Sequence, residues 1–195
     1  MREGDDPQRA ADVADAMRAL ARAGFLPADQ REHATEDRPL PLRNGQTSSQ
    51  PSTVATMLRL LEIPVGARVL DVGAGSGWTT ALLARLVGPR GLVLGLELDP
   101  DLARWGAANL AAHELPWASL EPAVPGVLGR PTDRGWPRIL VSAAPHELPA
   151  ELVAQLAPEG GRMVIPVRST LQVVVRTGDR TAVSAYGSYR FVPLR

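Results

Sequence analysis

Val69-Leu-Asp-Val-Gly-Ala-Gly-Ser-Gly77 runs directly into Trp78-Thr-Thr-Ala-Leu-Leu-Ala-Arg-Leu-Val-Gly88, and the hydrophobic period changes where they meet. Val69, Leu70 and Val72 form a short apolar, β-branched run that reads as a buried strand. Three glycines then alternate at Gly73, Gly75 and Gly77. Beyond them Leu82, Leu83 and Leu86 recur at helical spacing and face a core. Strand, glycine turn and helix open a nucleotide-cofactor βαβ unit. A Cβ in such a turn would keep the backbone away from a ligand. The free N–H groups at the helix start attract electron-rich ligand atoms.

The glycine spacing narrows the cofactor. A dinucleotide fingerprint, G-x-G-x-x-G, needs its third glycine where this chain has Trp78. Here that glycine comes one residue early, giving Asp71-x-Gly73-x-Gly75-x-Gly77. This pattern resembles motif I of the class I S-adenosylmethionine (SAM) methyltransferases. A second strand, Leu92-Val-Leu-Gly-Leu-Glu-Leu98, ends at Glu97. A carboxylate there can accept hydrogen bonds from both hydroxyls of a ribose. The alternative is a tight structural turn that holds no ligand.

At 195 residues the chain is long enough for a single domain with an adequate core. Lys plus Arg equals Asp plus Glu at 21 each, so no general attraction to nucleic acid or an anionic membrane follows. Cysteine is absent, which excludes disulfides and cysteine zinc sites. His33, His113 and His146 are scattered without metal-ligand spacing, so no metal is expected. The start lacks a signal pattern and there is no apolar run of membrane length. The expectation is a soluble, cytoplasmic monomer that binds neither nucleic acid nor membrane.

Along the chain, Val13, Met17 and Leu20 predict a helix ended by Gly24 and Pro27. Residues 28–48 are polar and aperiodic, a loop long enough to be either functional or disordered. Val54, Met57, Leu58 and Leu61 mark a helix face behind Pro51. Asp99-Pro100 starts another helix, expected to run to about Leu115. Trp117-Ala-Ser-Leu120 reads as a third strand, 121–136 as loop, Arg138-Ile-Leu-Val-Ser-Ala-Ala144 as a fourth strand and 149–157 as a short helix. Strands over 161–167, 171–176 and 182–193 follow, the last two joined by a turn at Gly178-Asp179. The expected fold is an α/β three-layer sandwich, a Rossmann-like doubly wound and mostly parallel sheet closed by a C-terminal antiparallel hairpin. Residues 1–195 form one domain, with 1–66 as a helical and loop segment over the active site.

Further segments point to one family. Gly45-Gln-Thr-Ser-Ser-Gln-Pro51 resembles the G-x-T-I-S-x-P segment of the protein-L-isoaspartate O-methyltransferases. Val141-Ser-Ala-Ala-Pro145 and Leu156-Ala-Pro-Glu-Gly-Gly-Arg-Met-Val-Ile-Pro-Val167 resemble its A-A-P and Q-L-x-P-G-G-R-L-x-x-P-V segments. Phe191-Val-Pro-Leu194 resembles its closing strand, and Phe25-Leu-Pro27 and Asp37-Arg-Pro-Leu40 fall where it has similar pieces. The similarity runs in order over roughly residues 15–194.

The resemblance implies methyl transfer from SAM, leaving S-adenosylhomocysteine, to the α-carboxylate of an L-isoaspartyl residue in a damaged protein or peptide. The ester then collapses to a succinimide that partly hydrolyses to aspartate. By the same resemblance Ser49 is the active-site serine, whose hydroxyl orients the carboxylate and the methionine end of SAM. Ser49 also suits a helix N-cap ahead of Pro51. Thr47, Ser48, Ala144 and Pro145 are the implied substrate contacts. Asp71, Gly73, Ala74, Gly75, Ser76, Gly77, Glu97, Leu98 and Gly126 are the implied cofactor contacts, with Asp71 near the SAM amino group. Asp71 could instead only cap the glycine turn, and His146 reads as a surface loop residue. Pro125 stands where the family has an aspartate near adenine, and Pro137 where it has an acidic residue entering the fourth strand. Two other readings stay open: a carboxyl methyltransferase with a dedicated peptide or small-molecule substrate, and a non-catalytic SAM-binding module.

Overall fold

A computed structural model describes residues 6–195. Helix α1 (Pro7–Ala19) is started by Asp6, whose carboxylate accepts from the Gln8 N–H, and it buries Val13 and Ala16. Two 3₁₀ turns follow, Arg22–Phe25 and Ala28–His33. Next come the two-residue strands β1 (Leu40–Pro41) and β2 (Thr47–Ser48), paired antiparallel, and helix α2 (Pro51–Leu61). The alternating part comprises β3 (Arg68–Val72), α3 (Trp78–Val87), β4 (Leu92–Glu97), α4 (Pro100–Ala111), β5 (Ala118–Pro122), β6 (Arg138–Val141) and α5 (Ala150–Ala154). Strands β7 (Glu159–Val167), β8 (Thr170–Thr177) and β9 (Arg180–Ser188) complete the sheet.

The seven strands lie in the order β5-β4-β3-β6-β7-β8-β9. The first five in that order pair parallel, and β8 and β9 close the edge as two successive antiparallel hairpins. Parallel strands covered on both faces must be apolar on both faces. In β3 Val69 joins a cluster with Leu82 and Leu83 of α3, while Leu70 and Val72 join one with Trp136 and Leu152. Leu82 and Leu83 are fully buried, each stabilising the fold by roughly 1.5–3 kcal/mol. The chain leaves β3 for β4 on one side and later returns to β6 on the other, so a crevice opens beyond their carboxyl ends.

The three-layer α/β fold expected from the sequence is present, with some boundaries moved. Helix α4 stops at Ala111 rather than near Leu115, because Pro116 keeps the residue before it out of helical backbone. Strand β6 ends at Val141, after which Ser142 bonds the carbonyl of Val72. The expected closing strand shrinks to one bridge between Ala144 and Pro193. The aperiodic segment 28–48 is a 3₁₀ turn and a small ladder, held by bonds described below.

Candidate active site

The glycine turn lies at the crevice. Gly73 and Ala74 both donate to the Leu96 carbonyl, at 2.9 and 3.0 Å, which ties the turn to the end of β4. Gly75 and Gly77 have φ of 54° and 88°, in the left-handed region that favours glycine. Their surroundings differ. A Cβ on Gly77 would stand 2.8 Å from the Gly106 carbonyl oxygen, so that glycine lets the turn pack on α4. A Cβ on Gly75 would meet only Leu42, at 3.7 Å, because the space in front of it is a cavity.

That cavity has a volume of about 860 Å³, within the ~300–1,000 Å³ range of small-molecule sites. Glu97 lies on its wall and is buried. Its Oε2 accepts from the Gly75 N–H at 2.9 Å and its Oε1 from the Asp99 N–H at 3.1 Å. An ionised carboxylate has about four acceptor sites, so about two stay free for hydroxyl donors. Asp71 lies one layer deeper and is fully buried. Its Oδ2 accepts from the Thr79 and Thr80 hydroxyls at 2.7 and 2.8 Å, and its Oδ1 has no partner. Burial pushes its pKa up to about 6; the two threonines oppose the shift and the nearby charge of Glu97 adds to it.

Beside Glu97 the wall becomes apolar. Leu98, Val124 and Val127 are exposed at its mouth. Val124 to Val127 form a turn closed by the Val127 N–H on the Val124 carbonyl at 3.0 Å. Pro125 and Gly126 occupy its centre, and Gly126 has φ of 77°, the residue pattern of a type II turn.

At the other end, β2 and the start of α2 form the wall. Thr47, Ser48 and Ser49 all line it. The N-cap of α2 is Gln50, not Ser49, because Pro51 occupies the first helical position. The cap bond comes from a distance: Asp37 Oδ1 accepts the Ser52 N–H at 2.8 Å, and its Oδ2 accepts from Gln50 Nε2 at 2.9 Å. The Ser49 hydroxyl bonds to no group among the described residues. Ser48 is buried, and its Oγ accepts from the Arg22 Nε–H at 3.0 Å.

Of the cofactor and substrate residues expected from the sequence, Asp71, Gly77 and Ala144 do not line the cavity, whereas the others do. Ala144 works behind it: its N–H donates to the Val192 carbonyl and its carbonyl accepts from the Leu194 N–H, which brings residues 192–195 to the rim. His146 is exposed and does not line the cavity, although Pro145 and Glu147 on either side of it do, and Pro137 does not line it either. Sequence reasoning missed Leu42, Trp78 and Leu148 on the wall, and Arg22 behind it. Trp78 sits in the glycine signature itself, but Arg22 has no periodic or motif signal. Among the described residues no acidic, histidine or cysteine cluster could hold a metal, and no helix is long and apolar enough to cross a membrane.

Residues 6–195 match the family model described as protein-L-isoaspartate(D-aspartate) O-methyltransferase. The chain is 47% identical over 189 residues to a protein-L-isoaspartate O-methyltransferase of Anaeromyxobacter dehalogenans, covering 93% of this chain and 88% of that one. It is 43% identical over 171 residues to the protein of the same name from Aeropyrum pernix, covering 86% of this chain and 65% of that longer one. Among solved structures it resembles a protein-L-isoaspartate O-methyltransferase from Plasmodium falciparum in complex with S-adenosyl-L-homocysteine. The TM-score is 0.80 at 25% identity, covering 98% of this chain and 91% of that one. On the match of its sequence to the family model over residues 6–195, the chain belongs to the protein-L-isoaspartate(D-aspartate) O-methyltransferase family.

Proposed function

We infer that this chain is a SAM-dependent carboxyl methyltransferase that esterifies the α-carboxylate of L-isoaspartyl residues in damaged proteins or peptides, a repair reaction. One observation carries the reading at residue level. A single cavity has a carboxylate beneath an open glycine at one end and an unbonded serine hydroxyl at the other.

The residues fit the cofactor. Glu97 would hold the ribose hydroxyls, the open backbone at Gly75 the methionine end, and Leu98, Val124 and Val127 the flat base. Asp71 does not reach the wall; its carboxylate accepts from the Thr79 and Thr80 hydroxyls and ties β3 to the start of α3. SAM, when bound, supplies an electrophilic sulfonium methyl. The acceptor is already an anion at neutral pH, its ordinary pKa being about 3.3–3.7, so no base is required. No histidine lines the cavity, in keeping with that. Strand alternation sends Thr47 to the side opposite Ser48, and the exposed Thr47 and the half-buried Ser49 face the acceptor. The Ser49 hydroxyl donates to one carboxylate oxygen and leaves the other free to react. Holding the acceptor this way supplies part of the ~7–11 kcal/mol available from proximity and orientation.

The dedicated-substrate reading keeps the same cofactor end and changes only the acceptor. Ser48, where the family segment has isoleucine, supports it, because it alters the acceptor strand. The test is incubation with methyl-labelled SAM and an isoaspartyl peptide. The reading expects label in the peptide that alkali releases as methanol, the mark of an ester. Label that resists alkali would reject carboxyl methylation.

A further inference from the structure

Arg22 is a buried charge behind the cavity wall. It is only 4% exposed, and among the described residues no carboxylate lies within ion-pair distance of it. Its guanidinium instead makes four hydrogen bonds. Nε donates to Ser48 Oγ at 3.0 Å, one terminal nitrogen to the Glu36 carbonyl at 3.2 Å, and the other to the Arg38 and Ser48 carbonyls at 3.1 and 2.9 Å. The group also lies over the Trp78 ring, 5.7 Å from its centre, and Trp78 is itself a wall residue of the cavity. Desolvation lowers the pKa of Arg22 to about 10, which still leaves it charged at neutral pH.

The geometry of these bonds is directed. Two of the three carbonyls that Arg22 grips, those of Glu36 and Arg38, flank Asp37, and the third belongs to Ser48. Asp37 in turn holds Gln50 and the Ser52 N–H. Ser49 therefore sits between two anchored neighbours: Ser48, held by Arg22, and Gln50, held by Asp37, whose own position Arg22 fixes. Ser49 itself is held by no side-chain bond. Its hydroxyl is placed by the backbone on either side.

We propose that Arg22 is the positioning residue of the acceptor end, clamping segment 36–38 to β2 so that the Ser49 hydroxyl meets the substrate carboxylate. This rests on the reading of Ser49 given above. One of the clamp's bonds goes to the Ser48 hydroxyl, at a position where the family segment has an isoleucine. A buried guanidinium with planar, fixed donors cannot be replaced by an ammonium without losing some of these bonds.

The test is a double-mutant cycle on the full chain with Arg22→Lys and Ser49→Ala, measured with an isoaspartyl peptide and SAM. Arg22→Lys alone is expected to lower kcat/KM about tenfold, part of the ~10²-fold that a 1 Å misplacement can cost. In the Ser49→Ala background the same change is expected to cost less than about twofold, since coupled sites are not additive. S-adenosylhomocysteine affinity should stay within about twofold, as none of the four Arg22 bonds goes to Gly75 or Glu97, the residues assigned to that ligand. Equal losses in both backgrounds, or a matching loss of S-adenosylhomocysteine affinity, would reduce Arg22 to a general structural role. Ser48→Ala, which removes one acceptor only, should give a smaller loss with the same coupling. Native-state hydrogen exchange checks the clamp without substrate: Arg22→Lys should speed exchange at the Ser52 and Val54 amides about tenfold and leave β3 and β4 unchanged. Unchanged exchange at those two amides would overturn the clamp, even if the true methyl acceptor were another carboxylate.

Discussion

Replacing Glu97 with alanine removes the group that joins the glycine turn to the cofactor end, and the structure sets the size of the effect. The carboxylate accepts from the Gly75 and Asp99 N–H groups and has about two acceptor sites left. Hydrogen bonds to a charged group contribute about 1.5–3 kcal/mol, so ligand affinity should fall roughly 10- to 150-fold. The loss should be the same for SAM, S-adenosylhomocysteine and adenosine, because all three have the ribose. Glu97→Gln separates ligand contact from scaffold support: the amide keeps one acceptor for the turn but loses the charge. Titration calorimetry of the three ligands against wild type and both variants, with melting curves, gives the answer. If adenosine kept its affinity while S-adenosylhomocysteine lost it, Glu97 would act through the Gly75 turn and the ribose assignment would be wrong. Wild-type affinity for all three in folded Glu97→Ala would remove Glu97 from the site.

Ser49→Ala should lower turnover at least about tenfold while changing stability by less than about 0.5 kcal/mol, because the hydroxyl caps nothing; steady-state kinetics and a melting curve check both. Gly75→Val should abolish S-adenosylhomocysteine binding in a folded protein, since the side chain would project into the cavity from a left-handed backbone that a β-branched residue tolerates poorly; undiminished affinity by calorimetry would contradict it. Asp71 is raised from 3.8 to about 6, so the native state holds its proton to higher pH than the unfolded chain, and stability falls as pH rises through that window. At about 1.4 kcal/mol per unit this amounts to about 3 kcal/mol, so Asp71→Asn should be more stable than wild type by up to that amount above pH ~7 and no more stable below pH ~4; urea unfolding at the two pH values tests it, and an Asn variant less stable at the higher pH would refute it. Pro125→Asp should tighten S-adenosylhomocysteine several-fold, by about 0.5–1.5 kcal/mol, because that turn position accepts most residues and the new carboxylate can reach the exocyclic amine; calorimetry on the two versions decides.

The parts of the fold legible in the sequence are those whose cause is local. Val69, Leu70 and Val72 show the apolar run of a strand buried on both faces, and Leu82, Leu83 and Leu86 show the helical period. The glycine turn and Glu97 could be paired because each ends a strand, and adjacent parallel strands place their ends side by side. The acceptor end was legible only by resemblance. Its backbone is fixed by Arg22 and Asp37, which act across 26 and 15 residues on carbonyls and an N–H that no side-chain pattern encodes. Ser49 suits a cap by residue type, but a proline at the first helical position moves the cap to Gln50. Asp71 and Gly77 belong to the motif yet face α3 and α4 instead of the cavity, since a strand residue and a close-packed turn each have only one free side.

The most direct measurement is methyl transfer from labelled SAM to an isoaspartyl peptide beside its aspartyl twin, with S-adenosylhomocysteine binding measured on the same preparation. The account predicts binding of S-adenosylhomocysteine, base-labile label in the isoaspartyl peptide, and little or none in the aspartyl one. Firm S-adenosylhomocysteine binding with no methylation of the isoaspartyl peptide would contradict it.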